Sequence, residues 1–211
     1  ERVGVPSTHA SSKTFGAARA VAWWCSVWPP GSSIAITLAP TFRQVKNLMW
    51  PEIRSAQQAG NLPGIVQQAQ WKIGEEVMAY GMSPAPWDEA ALQGVHSGHV
   101  LLVVDEAGGI VHTGGRALVA LLSNPHARLL MIGNPPTDEE GTWFEEQCEK
   151  SALVTTIRIS AMDTPNFTGE RTGRCTTCDP GVPAHRVALH LTPVEWVEEV
   201  TGEFGEDSAF V

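Results

Sequence analysis

The chain contains 211 residues, of which 43% are hydrophobic and 18% are charged, and its formal net charge is -9. This length and composition suit one medium-sized domain with its own hydrophobic core. The acidic balance argues against a free-standing nucleic-acid binder, because affinity for duplex DNA comes largely from Lys and Arg side chains that neutralise phosphates. We therefore expect any contact with DNA to involve only a small part of the surface.

Membrane and secretory segments are not predicted. Apolar runs such as residues 100–104 and 117–122 are far shorter than the roughly 20 residues that span a bilayer. The N-terminus lacks the basic, apolar and small-residue pattern of a secretory signal. Four cysteines are too few for a disulfide scaffold in a chain of this length, so we expect reduced thiols in a cytoplasmic protein.

Strand and helix patterns alternate along residues 1–160, and this alternation is typical of an α/β fold with a mainly parallel central sheet flanked by helices. Residues 100–104 are apolar without alternation, which predicts a central strand buried on both faces. The predicted strands are residues 2–5, 33–38, 100–104, 128–132 and 154–159, with an antiparallel hairpin of residues 71–73 and 77–80 at one edge. The predicted helices are residues 13–28, a helix capped by Thr41 that runs to about residue 59, and residues 116–122 and 139–150.

The rest of the chain is less regular. Residues 163–191 are rich in turn-forming residues, and Thr192 and Pro193 then predict a capped helix start at residues 194–204. We therefore divide the chain into a core at residues 1–160 and a lid-like or linker-like segment at residues 161–211.

A phosphate-binding loop is predicted between the first strand and the first helix. Its backbone N–H groups can cradle phosphate, Lys13 can reach the β and γ oxygens, and the Thr14 hydroxyl can hold magnesium. Serines stand where the usual pattern has glycines, at Ser7 and Ser12, so a Ser-rich turn that caps a helix is the alternative interpretation. We interpret His9 as a turn residue rather than a general base. The loop residues are Ser7, Thr8, His9, Ala10, Ser11, Ser12, Lys13 and Thr14.

Two adjacent acids follow the central strand, at the edge where α/β sheets bind ligands. Asp105 suits the water shell of a magnesium ion, whereas Glu106 can orient and deprotonate the water that attacks a γ-phosphate. Acids that cap a loop at the end of a strand are the alternative interpretation.

A third candidate motif follows the strand at residues 128–132. Gly133, Asn134 and Pro135 supply a small residue and an amide that can sense the γ-phosphate. Alone, this tripeptide is only a turn signal. Together with the phosphate loop and the acidic pair, each at the carboxyl end of a strand, it predicts an NTPase.

Several short motifs carry a family resemblance, at residues 7–14 with 17–19, 39–45, 103–107, 133–135, 159–161 and 164–167. On these residues the sequence resembles the large terminases of tailed phages over nearly its whole length. The resemblance implies a P-loop NTPase of the additional-strand, catalytic-glutamate type. It implies that residues 7–14 are the Walker A loop, Asp105 the Walker B acid, Glu106 the catalytic glutamate and residues 133–135 the coupling motif. Ser12 before Lys13 departs from the common pattern.

The resemblance also implies an activity and partners. Large terminases hydrolyse ATP with Mg²⁺ and drive double-stranded DNA into a procapsid in the host cytoplasm, as a homo-oligomeric ring that works with the portal protein and the small terminase subunit. One subunit's arginine completes its neighbour's ATP site, and Arg43 and Arg116 are the candidates here. The family carries a nucleotide-binding segment before the first strand and a nuclease domain after the motor. Neither is visible, so we expect this chain to be part of a longer protein.

Other interpretations stay open. A helicase-like translocase would share the first two motifs, and a degenerate P-loop module would bind nucleotide without hydrolysing it. Cys175 and Cys178, with His185 and His190, are candidate zinc ligands, but their spacing is unusual and free thiols are the favoured alternative.

Overall fold

The computed structural model describes residues 1–83, 97–134, 141–168 and 191–205. These residues form an eight-stranded sheet with helices on both faces. The strands are β1 Arg2–Pro6, β2 Ser33–Leu38, β3 Ile65–Gln67, β4 Gln70–Ile73, β5 Glu76–Met82, β6 His99–Val104, β7 Ala127–Gly133 and β8 Val154–Thr156. The α-helices are α1 Lys13–Val27, α2 Phe42–Gln44, α3 Trp50–Ala59, α4 His112–Leu121, α5 Trp143–Glu149, α6 Pro165–Thr168 and α7 Val194–Phe204.

The sheet has the strand order β3-β4-β5-β2-β6-β7-β1-β8. Strand β4 is antiparallel to both of its neighbours, and all other neighbouring strands are parallel. The predicted α/β class, the parallel sheet and the hairpin at its edge are therefore confirmed. Strand β3 was not predicted, because a three-residue strand is too short to show an alternating pattern.

The core has two layers, one on each face of the sheet. On one face Val103 of β6 packs with Val21 of α1 and Trp50 of α3. On the other face Leu102 packs with Leu118 of α4. Because β6 is covered on both faces, its predicted central position is confirmed, and every residue from Val100 to Val104 is buried.

The helix predicted after Thr41 is interrupted. Thr41 does form the predicted cap, since its hydroxyl accepts from the Gln44 N–H and its own N–H donates to Gln44 Oε1 at 3.0 Å. Beyond α2, however, a π-helical turn at Val45–Met49 precedes α3. Short π turns of this kind occur frequently at functional sites.

Several predicted boundaries shift. Helix α4 begins four residues before the predicted start, at His112, and β8 ends at Thr156, after which Ile159 keeps only an isolated bridge to Ser7. The cap predicted at Thr192 is wrong, because Pro193 is the N-cap residue of α7 and the Thr192 hydroxyl donates instead to the His9 carbonyl. None of the helices in the described ranges is long and apolar enough to cross a membrane.

Candidate nucleotide-binding site

The loop between β1 and α1 is fastened to two neighbouring chain segments. The Ser7 N–H donates to the Gly133 carbonyl at 3.0 Å, and the Thr8 N–H donates to the Ile159 carbonyl at 2.9 Å. Ser7 itself is buried, and its hydroxyl lies 2.9 Å from that of Ser11. The start of the loop is therefore held at the carboxyl edge of the parallel sheet, next to the end of β7.

Two residues of the loop have left-handed backbone conformations. Ala10 has a φ of 54° and Ser12 a φ of 62°. This conformation costs a residue with a side chain about 1–2 kcal/mol, and glycine escapes the penalty. The serine that departs from the family pattern thus occupies a position where the backbone itself favours glycine.

Lys13 reaches across the mouth of the loop. Its ammonium donates to the Thr8 carbonyl at 3.2 Å and to the side-chain oxygen of Asn134. Partial burial lowers the pKa of Lys13, and the nearby carboxylates of Glu106 and Asp105 oppose this shift. The charge of Lys13 therefore lies between the predicted acidic pair and the predicted phosphate sensor.

Asp105 is buried at the end of β6, where its N–H donates to the Leu38 carbonyl at 2.8 Å. Its Oδ2 accepts from the Thr14 hydroxyl at 3.3 Å. Burial raises the pKa of Asp105 to about 6, and the adjacent Glu106 carboxylate acts in the same direction, whereas its hydrogen bonds and Lys13 lower it. A bound cation would relieve this cost, because an opposite charge favours the ionised carboxylate.

Thr14 and Asp105 fit a magnesium site. Both offer hard oxygen ligands, and Mg²⁺ commonly takes only one or two protein ligands and fills its octahedron with waters and phosphate oxygens. Across the described ranges, no group of three or more His, Cys, Asp or Glu side chains could hold a metal. The proposed zinc ligands, Cys175, Cys178, His185 and His190, lie outside those ranges, as does Pro135.

The backbone at Glu106 departs from the extended conformation of β6. Its φ of 49° and ψ of 46° are left-handed, and its N–H donates to Asp105 Oδ1 at 3.0 Å. The half-buried side chain lines the same cleft as Lys13 and Asn134. Non-glycine residues in this region concentrate at active sites, where surrounding structure maintains the strain. Adjacent acids thus have different environments, one buried and one facing the cleft.

The end of β7 packs closely against the segment that follows Glu106. A Cβ atom on Gly133 would lie 3.0 Å from the Ala107 nitrogen, so a larger residue would push the two strand ends apart. The next residue, Asn134, accepts from Lys13 and places its amide nitrogen 2.6 Å from Nδ1 of His9. The sequence predicts His9 and Asn134 as members of two separate motifs, and it does not predict this contact between them.

These side chains surround an open cleft of about 460 Å³, which we call the phosphate cleft after its predicted ligand. One wall is the phosphate loop with Glu106 and Asn134, and the opposite wall comes from the π turn and the start of α3. The residues of that opposite wall are Asn47, Leu48, Pro51 and Glu52. Sequence reasoning missed them, because a capped helix pattern does not reveal which of its exposed residues face a ligand.

The two candidate arginines lie in different places. Arg43 is exposed on α2, in the segment that leads to the cleft wall. Arg116 is exposed on α4 and lines a second cleft together with Arg2 and Glu146. Among the described residues, this second cleft and the phosphate cleft have no lining residue in common. Neither arginine is among the described residues that line the candidate site.

No protein-family model matches the sequence, and no curated protein matches it. Several solved structures match the fold of this chain. The Thermus phage P74-26 large terminase ATPase domain matches with a TM-score of 0.57 and 18% identity, over 77% of this chain and 76% of that one. The large terminase from a thermophilic bacteriophage matches with a TM-score of 0.53 and 13% identity, over 74% of this chain and 39% of that one.

This chain has the fold of a phage large-terminase ATPase domain. The family resemblance inferred from the motifs is confirmed at the level of the fold. A second structure of that thermophilic phage's large terminase, in complex with ADP, matches with a TM-score of 0.52 and 13% identity, over 74% of this chain and 39% of that one.

Proposed function

We propose that this chain is the ATPase domain of a phage DNA-packaging terminase, which hydrolyses ATP with Mg²⁺ to move double-stranded DNA into a procapsid. The observation that carries the proposal is the convergence of Lys13, Thr14, Glu106 and Asn134 on one cleft, with Asp105 hydrogen-bonded to Thr14. The large-terminase fold and the ADP complex of a structural neighbour support it.

Each side chain has a role in phosphoryl transfer to water. The backbone of the loop and Lys13 bind the β and γ oxygens, and Thr14 and Asp105 would hold a magnesium ion. When bound, the ion supplies positive charge that offsets the charge on those oxygens. Glu106 orients the attacking water and accepts its proton, and Asn134 exchanges its hydrogen bond from Lys13 for one that its side-chain amide donates to the γ-phosphate.

The assembled motor requires more than this site. We propose a homo-oligomeric ring that binds duplex DNA, the portal protein and the small terminase subunit in the host cytoplasm. Arg43 and Arg116 are both candidates for the arginine that completes a neighbour's site, because both are exposed and neither has an ion-pair or hydrogen-bond partner among the described residues. Residues 1–160 would form the motor core, and residues 161–211 a lid or linker.

Magnesium-dependent phosphate release tests the proposal. The purified chain is compared with Lys13→Ala and Glu106→Gln, with and without duplex DNA. Lys72→Ala and Glu75→Gln are matched controls, because both residues are exposed on the β4–β5 hairpin and neither lines the cleft. Release that is lost in both site variants and retained in both controls supports a hydrolytic motor. Release that persists in Glu106→Gln would remove Glu106 from its proposed role.

A P-loop module that binds nucleotide without hydrolysing it is the second candidate. It is favoured by the left-handed backbone of Ser12, which places a side chain where glycine normally lets phosphate approach. Tight binding of ATP by a folded chain, with no phosphate release with or without DNA, would select this function.

A further inference from the structure

His9 lies between the phosphate cleft and the C-terminal helix α7. Its carbonyl accepts from the hydroxyl of Thr192, which is buried two residues before α7 begins. Its imidazole packs edge-on against the indole of Trp196, with ring centroids 6.0 Å apart and an interplanar angle of 71°. One loop residue thus makes backbone and ring contacts with a segment more than 180 residues away in the sequence.

Polar contacts hold the start of α7 on this side. The Asn166 amide donates to the Thr192 carbonyl at 3.0 Å, and the hydroxyls of Thr8 and Thr192 lie 3.5 Å apart. The N-cap residue Pro193 has no side-chain acceptor with which to cap α7, and the hydroxyl of the preceding Thr192 donates to the loop. The position of this helix end is therefore coupled to the conformation of the loop.

On its other side, His9 contacts the cleft through Asn134. The Asn134 amide donates to the His9 ring, while its side-chain oxygen accepts from Lys13. A continuous line of contacts therefore runs from the Lys13 ammonium through Asn134 and His9 to Trp196. Any ligand that binds the Lys13 ammonium in place of Asn134 removes the first contact in this line.

We infer that His9 is a positioning residue that transmits occupancy of the phosphate cleft to the start of α7. A γ-phosphate displaces Asn134 from Lys13, the Asn134 side chain reorients, and the His9 ring moves against Trp196. A ligand shifts such an arrangement only through its different affinity for the two states, and here the difference is the exchange of the Lys13 contact. This inference rests on the proposed nucleotide-binding function.

Trp196 emission provides the readout, isolated as the difference between the chain and its Trp196→Phe variant. The test adds Mg²⁺ and a non-hydrolysable ATP analogue to the chain and to His9→Ala and His9→Gln, with binding of the analogue measured independently by calorimetry. Gln keeps an acceptor for the Asn134 amide but loses the aromatic ring. His112→Ala is the matched control, because His112 lies on α4 and does not line the phosphate cleft.

In the intact chain, the analogue should change Trp196 emission. In His9→Ala the change should be at least about threefold smaller, while affinity falls by no more than about tenfold, the equivalent of one hydrogen bond. His9→Gln should recover affinity but not the emission change, and it decides the question if His9→Ala does not fold. His112→Ala should alter neither quantity.

Two outcomes contradict the inference, and calorimetry separates them. If the analogue binds and Trp196 responds equally with and without His9, or does not respond in the intact chain, His9 transmits nothing and the proposed function stands. If the analogue does not bind the folded intact chain, the proposed nucleotide-binding function fails, and the transmission fails with it.

Discussion

The Thr14 hydroxyl donates to Oδ2 of Asp105 across 3.3 Å, so the first turn of α1 and the end of β6 meet in a direct contact. The two residues are 91 positions apart in the sequence. Their meeting depends on β1 and β6 both lying beside β7, which brings the carboxyl ends of the strands to one edge. The magnesium requirement of the site should therefore depend on this pair.

Replacement of Thr14 by Val, which keeps the shape but removes the hydroxyl, should raise the Mg²⁺ concentration needed for half-maximal phosphate release by about tenfold or more. Thr14→Ser should keep most of the affinity. The measurement is a Mg²⁺ titration at saturating ATP. Thr113→Val is the control, since Thr113 is exposed at the equivalent position of α4, and an equal effect there would argue against a specific magnesium ligand.

Asp105 should make the metal-free protein less stable at neutral pH. Burial raises its pKa from the ordinary 3.8 to about 6, so the folded chain binds a proton more readily than the unfolded chain. The free energy of unfolding therefore falls as pH rises between about 4 and 6. Asp105→Asn should be more stable than the parent at pH 7 by about 1–3 kcal/mol, with little difference at pH 4.

Urea unfolding without Mg²⁺ at the two pH values measures this difference. Glu75→Gln, on the exposed hairpin turn, should change stability little at either pH. An Asp105→Asn variant that is no more stable than the parent at pH 7 would show that other groups of the chain already stabilise the charge of the buried carboxylate.

Ser12→Gly should relieve the left-handed strain of the phosphate loop. The expected gain is about 0.5–1 kcal/mol in the free energy of unfolding, because the penalty on the serine side chain exceeds the extra backbone entropy of glycine. Removal of the Cβ should also increase phosphate affinity. Ser12→Ala separates loss of the hydroxyl from loss of the Cβ. Because alanine keeps the Cβ, this variant should gain no stability. Equal behaviour of the two variants would contradict the strain argument.

Two glycines in helix interiors should respond in opposite directions to alanine. A Cβ atom on Gly115 of α4 would overlap with the buried Trp143 indole, whereas one on Gly16 of α1 would meet no atom of the described residues within 4 Å. Gly115→Ala should therefore lose about 1–3 kcal/mol of stability through overpacking. Gly16→Ala should gain about 0.5–1 kcal/mol. Thermal unfolding of both variants tests the pair, and a stable Gly115→Ala would mean that α4 and α5 can separate at little cost.

Much of the fold could be predicted from the sequence. The β2 and β6 strands and the first helix have strong local patterns, and Thr41 forms the predicted cap, with Gln44 as its partner. The positions of Lys13 and Asp105 followed from their place at strand ends. Such properties depend on residues close together in the chain, which is why the sequence reveals them.

The features that were missed depend on distant contacts. The Asn134 amide meets the His9 ring across 125 positions, and Thr192 reaches the loop across 183 positions instead of capping its own helix. No local pattern distinguishes a threonine that caps a helix from one whose hydroxyl is used elsewhere. The wall formed by Asn47 and Leu48 was missed for the same reason.

The π turn at Val45–Met49 is equivalent to a one-residue insertion in an otherwise continuous helix, since its hydrogen bonds span one more residue than those of an α-helix. The helix therefore changes rotational phase partway along its length. After the turn, Trp50 stays buried with its indole N–H donating to Thr37, while Leu48 before it faces the cleft. Deletion of one residue here would keep the helix but turn the cleft wall away from the phosphate loop by about a quarter of a turn.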